Sequence, residues 1–315
     1  EWSSLCNLSR TGKMSIFYAL VIANKDKFTG RSYEHRRSWI EDRIRLLSSV
    51  FSVNLCAYAV MSNHYHLVLK LCPEQLNASS VDDIIDRWCC LFKGPVLIQR
   101  YREGASLSKP ERETVGDIVE VWRKKLCDIS WFMRCLNQPI ARQANVEDGC
   151  TGKFWESRFN SQALKAEEAL LSCMTYVDLN PIRAAIAVTP ETCDHTSIQE
   201  RIKPKLDLEK AILGQTNSGN LRQFNFPIKP LLHFDNTITA ENQSGIPCTW
   251  HAYLELVDWT GRAVRVDKRG SIPADLPPIL KRLNIPLNRW LSSATQFESV
   301  HRRRFNGKPT IQKSG

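Results

Sequence analysis

Two histidines, His64 and His66, stand one residue apart in the apolar stretch "AYAVMSNHYHLVLK", residues 57–70. At that spacing on a strand both imidazoles project from the same face. Neutral imidazole nitrogens there can grip one divalent cation. A pair supplies only two ligands, so positions stay open for water or substrate oxygens, the arrangement of a Lewis-acid site. The alternative is a pair of structural or surface histidines. A second candidate is Tyr176 in "TYVDLNPIRAA", 175–185, with Asn180 four residues on. A phenol is mostly protonated near neutral pH and a poor nucleophile. Beside a metal-polarised phosphodiester it becomes usable, because the metal stabilises the charge that develops. The alternative is a half-buried tyrosine near a helix end. The third candidate is "GKFWESRF", 152–159. Lys153 and Arg158 can bind backbone phosphate and Trp155 can stack on a base, or the segment packs as core with surface cations.

The elements that must position these residues are legible in outline. Residues 14–23 are β-branched and aromatic and predict a first strand. Ile40, Ile44, Leu47 and Phe51 predict an amphipathic helix over 34–51, with Arg43 and Arg45 mostly off its apolar face. Residues 53–60 and 64–71 read as two strands around a short turn. Tyr65, Leu67 and Leu69 share one face of the second; His64, His66, Val68 and Lys70 share the other. Helices follow over 82–102, broken near Gly94–Pro95, then over 115–128 and 129–146. Residues 153–164 suggest a strand and 167–179 a helix with Leu170, Met174 and Val177 as its core face. "NPIRAAIA" restarts a helix with Asn180 as N-cap and Pro181 in its first turn. Because Asn180 precedes a proline, α geometry there is disfavoured. Residues 203–247 are rich in Pro, Asn, Gly and Ser and read as a linker or arm. "AYLELVDWTGRAVRV" suggests a hairpin turning at Thr260–Gly261, and two basic helices follow.

The 315 residues allow one large or two modest domains, and 43% hydrophobic content with 9 Trp and 12 Phe argues against wholesale disorder. The net charge of +10 suits a polyanionic partner. Eleven scattered cysteines without C-x-x-C spacing argue against a zinc ribbon or a disulfide framework, and so for a cytosolic setting. The apolar run 14–23 is too short to span a bilayer.

Taken in order, "M-x-N-H-x-H-L", "G-x-F-W-x-x-R-F" and "Y-x-x-x-N-P-x-R-A" resemble the single-tyrosine HUH transposases, and most the REP-associated, IS200-like branch. The resemblance runs from about Lys25 to Ala187. It implies an α+β fold: a ferredoxin-like (RRM-like) antiparallel sheet with helices on one face, plus a mostly helical C-terminal extension. It implies a metal-dependent single-stranded DNA endonuclease and strand transferase acting at hairpin-associated, REP-like sites, as a monomer or homodimer, in the cytoplasm near the nucleoid. On that resemblance His64 and His66 hold one Mg²⁺ or Mn²⁺, with Asn180 as a further polar ligand, and Tyr176 forms a 5′-phosphotyrosine. Lys153, Trp155, Arg158, Arg183, Arg302 and Arg303 are the expected DNA contacts. The expected layout is an atypical segment 1–24, apolar where the family's opening strand is polar, then a transposase domain 25–190, a linker 203–247 and a C-terminal extension 248–315. Two rival readings stay open: a hairpin-binding relative that does not cut, and an unrelated metallohydrolase built on the histidine pair.

Overall fold

The computed structural model describes residues 32–156, 158–164, 167–215, 221, 224–235, 245–264 and 267–283, together with the backbone of 14–20. The chain divides into two compact units. The first comprises residues 1–178 and 194–231, the second 179–193 and 232–315.

The first unit is built on a four-stranded antiparallel sheet. Its strands are β1 (Met14–Leu20), β2 (Val53–Val60), β3 (His64–Leu71) and β4 (Asn160–Leu164), in the order β2-β3-β1-β4. Helix α1 (Arg36–Val50) connects β1 to β2, and a tight turn joins β2 to β3. With that order and those directions the sheet is ferredoxin-like. Segment 1–24, set apart on sequence, thus supplies the interior strand β1, paired with both β3 and β4.

Between β3 and β4 the chain inserts five helices: α2 (Pro73–Asn77), α3 (Val81–Cys89), α4 (Val96–Arg102), α5 (Lys109–Leu126) and α6 (Ile129–Asp148). Each boundary has a local cause. Ser80 and Ser108 open α3 and α5 with capping boxes, Asp128 caps α6, and Gly149 ends α6 at φ 61°. Gly94 and Pro95 separate α3 from α4 as expected.

One face of the sheet meets α1 and α6. Tyr65, Leu67 and Leu69 of β3 join Ile40, Ile44, Leu47, Phe132, Leu136 and Ile140 in a single buried cluster. Helix α7 (Glu167–Asp178) packs against β2, β3 and β4 on the opposite face. The expected α+β fold, an antiparallel sheet packed by helices, is what the structure has; α7 lies over the face that carries His66. After residue 193 the first unit resumes with α9 (Ser197–Ile202) and α10 (Leu208–Leu213). The stretch read as a linker begins inside it, since Ala211, Gln215, Leu221 and Phe224 are all buried.

The arginines of α1 depart from the amphipathic reading. Arg36, Arg37, Arg43 and Arg45 are all buried. Arg36 meets Glu147 and Asp148 at the end of α6, and Arg43 donates to the carbonyl of Cys135 and to Gln215 Oε1. These partners are 92 to 172 residues away in sequence, so helical periodicity carries no sign of them.

In the second unit, α8 (Asn180–Arg183) starts with Leu179 rather than Asn180 as N-cap. The predicted hairpin is a helix, α11 (Trp250–Arg262), capped by Thr249 through Ala252 N–H, with Tyr253, Leu254, Val257 and Gly261 buried along one side. Gly261 is there for close packing rather than for a turn: a Cβ would come 2.6 Å from Ile272 Cδ1. Only a short helix, α12 (Ile279–Arg282), is described of the two basic helices expected, and Arg282 pairs with Glu191 and Asp258.

Candidate active site

Strand β3 brings His64 and His66 to one face by simple alternation, and antiparallel pairing sets His66 opposite Ala59 of β2 and Tyr18 of β1. The small Ala59 side leaves room for the ring. The two imidazoles meet edge to face with centroids 4.8 Å apart. His66 is only 4% exposed, while His64 is half-buried at the strand's start.

Burial decides their charge. His66 is pushed down to about 3 by desolvation first and by the neighbouring His64 second. Desolvation also lowers His64. Both rings are therefore held neutral at pH 7, the form that ligates a metal. His64 Nδ1 lies 2.7 Å from Asn63 Oδ1, which accepts a hydrogen bond from Nδ1–H in the tautomer that keeps the lone pair on Nε2. Among the described residues, no group of three or more His, Cys, Asp and Glu side chains is placed to hold a metal ion. Two neutral imidazoles on one strand face are ligand types that a divalent cation can use, its other positions being left to water or substrate oxygens.

Helix α7 delivers the phenol. Leu170, Leu171, Met174 and Val177 turn inward and are buried, which leaves Tyr176 at the edge of the packed stripe, 44% exposed. Its ring sits edge to face against His66 with centroids 5.6 Å apart. Helix and strand thus bring His64, His66 and Tyr176 to one place, joined by a run of ring contacts and open to solvent at the tyrosine.

The other expected residues divide. Lys153 and Arg158 are exposed, on an irregular stretch that becomes strand only at Asn160. Trp155 is half-buried. Its indole N–H donates to the Asn137 carbonyl at 2.8 Å and its ring meets Tyr65 edge-on. Arg183 belongs to the second unit, where its guanidinium donates to the carbonyls of Thr260 and Ala263, both at 2.7 Å. That is a structural use of the group expected to meet phosphate. Asn180 is the first residue of α8, half-buried. Arg302 and Arg303 lie outside the described residues.

Sequence reasoning missed Asn63, the partner of His64, and Asp178, a buried carboxylate two residues past Tyr176. Asn63 was available in the motif beside the histidines. Asp178 carried no signal, because its partners Ser197 and Ile198 lie about twenty residues on. A separate cavity of about 430 Å³ lies between α1 and residues 194–214. Much of its charge is paired internally, as Arg45 with Glu200, Lys205 with Asp194 and Lys210 with Asp207.

No protein-family model and no curated protein matches the chain. Among solved structures it is similar to one described as a REP-associated tyrosine transposase bound to a REP hairpin. The TM-score is 0.37 and the identity 9%, over 64% of this chain and 92% of that one. None of the helices described is long and apolar enough to cross a membrane.

Proposed function

We propose that the chain is a metal-dependent single-stranded DNA nickase and strand transferase, acting at hairpin-associated sites through a 5′-phosphotyrosine on Tyr176. The observation that carries this reading is the contact of a solvent-open tyrosine with His66, the buried, neutral member of the histidine pair. The three sequence motifs that supply those residues, with Lys153 and Arg158 exposed on the middle one, support it.

In this reading His64 and His66 hold one Mg²⁺ or Mn²⁺, which supplies Lewis-acid polarisation of the scissile phosphate. Asn180 is assigned as a further polar ligand from its motif position. The Tyr176 oxygen forms a bond to phosphorus while the bond from phosphorus to the 3′ oxygen breaks. The phenol loses its proton and the departing 3′ oxygen gains one. The phosphodiester's free energy is kept in the tyrosyl ester, so a 3′-OH can reseal the strand without ATP. Lys153 and Arg158 contact backbone phosphates and hold the strand in register.

The test is incubation of the full chain with end-labelled hairpin single-stranded DNA and Mg²⁺, run on a denaturing gel. The proposal predicts a shifted, covalent protein–DNA band with wild type and none with Tyr176→Phe. Hairpin binding without that band would assign a non-cutting DNA-binding role. Cleavage that survives Tyr176→Phe would make water the nucleophile and the site a metallohydrolase.

A further inference from the structure

We infer that residues 194–198 form a strap that sets the position of Tyr176, anchored by Asp178 acting as a positioning residue. The inference rests on the reading of Tyr176 as the nucleophile.

Asp178 is the last residue of α7 and is 1% exposed. Its Oδ1 accepts the Ser197 hydroxyl at 2.6 Å and the Ile198 N–H at 3.1 Å. The same segment is laced to the end of β2. Val60 N–H donates to the His195 carbonyl at 2.9 Å, and Thr196 bridges Ala59 in antiparallel fashion. Arg37 secures the junction from α1, donating to the carbonyls of Val60 at 2.9 Å and Asp194 at 3.0 Å. Ala59 and Val60 pair with His66 and Tyr65. The strap therefore joins the strand beside the histidine pair to the helix turn that carries Tyr176.

The strap is itself held in shape. His195 sits at φ 59°, a left-handed conformation that residues with a Cβ adopt uncommonly. Its ring pairs with Glu41 of α1, whose other oxygen accepts the Tyr58 hydroxyl at 2.6 Å. The last turn of a helix is where backbone carbonyls lack intrahelical partners and fraying starts. Tyr176 is in that turn. An in-line attack needs the oxygen within about 3–3.5 Å of phosphorus, and about 1 Å of misplacement can cost on the order of a hundredfold. A side chain that removes fraying there acts on the rate without touching DNA.

The experiment compares Ser197→Ala, Asp178→Ala and Asp178→Asn with wild type in the full chain. It reads the adduct-forming rate at saturating hairpin DNA, the hairpin Kd, the thermal melt, and amide hydrogen exchange over 172–178. Ser197→Ala is expected to slow the saturated rate about tenfold and Asp178→Ala about a hundredfold, with Kd changed less than about twofold. Asp178→Asn keeps an Oδ1 acceptor and is expected to recover most of the rate. Exchange over 172–178 should quicken in the two alanine variants and not in Asp178→Asn. Unchanged exchange there, or a rate loss matched by Kd or shared by Asp178→Asn, would overturn the strap. If Asp178→Ala shows no cooperative melt, Ser197→Ala decides. The exchange arm needs no activity, so a wild type that forms no adduct refutes the nucleophile reading while exchange still decides the strap.

Discussion

Strand β3 separates two tyrosines that live in opposite conditions. Tyr65 points to the α1–α6 side, is fully buried, and donates its hydroxyl to Asn137 Oδ1 at 2.6 Å, with Trp155 against its ring. Desolvation first raises its phenol well above the ordinary range, against a smaller lowering from Asn137. Tyr176 lies across the sheet on the His66 side, 44% exposed. One residue of register, Tyr65 against His66, separates a face whose tyrosine hydroxyl is spent on an internal hydrogen bond from a face where a buried imidazole lies against a solvent-open tyrosine. The comparison teaches that a single strand can be both keel and site. Apolar side chains and satisfied hydroxyls weld one face, and that rigidity lets the other present two imidazoles at a fixed separation.

The largest effect should come from exchanging the two tyrosines' fates. Tyr176→Phe is expected to remove all covalent adduct with little change in melting, because its hydroxyl is not part of the buried core. Tyr65→Phe is expected to do the reverse. It leaves the half-buried Asn137 Oδ1 short of a donor, a cost of about 1 kcal/mol, and keeps adduct formation. Paired gels and thermal melts read both. Adduct lost in the Tyr65 variant and kept in the Tyr176 variant would invert the comparison.

His66→Ala comes next. It is expected to reduce cleavage to the level seen in chelator while hairpin affinity stays close to wild type, since affinity comes mostly from phosphate contacts. Full cleavage by this variant in chelator would remove the metal from the site.

Acid should weaken the histidine face selectively. The folded state holds His66 neutral down to about 3, whereas an unfolded histidine titrates near its ordinary value of about 6.5. Below about pH 6.5 the unfolded chain takes up a proton that the fold refuses. Stability from this residue is therefore complete above 6.5 and lost as pH falls toward 3, by about 2 kcal/mol at pH 5. Asp42 works against it: burial first, and Glu41 second, raise its carboxyl to about 6, so acidification relieves it. The readout is therefore the difference in pH dependence between wild type and His66→Phe. A wild-type melt no more acid-sensitive than that of His66→Phe would contradict a buried neutral imidazole.

The smallest expected effect concerns neither face. If Arg302 and Arg303 contact phosphates, replacing both with alanine should lower the slope of log K against log salt by about 1.5, equally for all DNA sequences. An unchanged slope would assign them to solvation.

Much of the site was legible because it depends on local periodicity. Alternation alone put His64 and His66 together and opposite to Tyr65, and the apolar stripe of α7 left Tyr176 at its edge. What was not legible depends on distant partners. Arg43 read as lying mostly off the apolar face of α1, yet it is buried against Gln215, and Arg36 closes on Glu147 and Asp148, all more than a hundred residues away. The Trp155 contacts with Asn137 and Tyr65 come from other elements and so left no mark in its own segment. Thr260–Gly261 carried the composition of a turn, but Thr249 caps a helix through it and Ile272 needs the space that Gly261 leaves. Segment 203–247 read as a linker from its Pro, Asn, Gly and Ser content, yet Ala211, Leu221 and Phe224 are buried in the first unit's core and Leu206, Leu208, Ile212, Phe226, Ile228 and Leu231 pack against it, at spacings that follow no single period.

The most direct test of the central claim is where the DNA attaches. The adduct formed with hairpin single-stranded DNA and Mg²⁺ would be digested with nuclease and protease and its peptides sequenced by mass spectrometry. The account predicts a nucleotide linked through phosphate to Tyr176, on the peptide containing "TYVDLNPIR". Attachment at Tyr65, at Tyr58 or at any other residue, or cleaved DNA with no attached peptide, would contradict it.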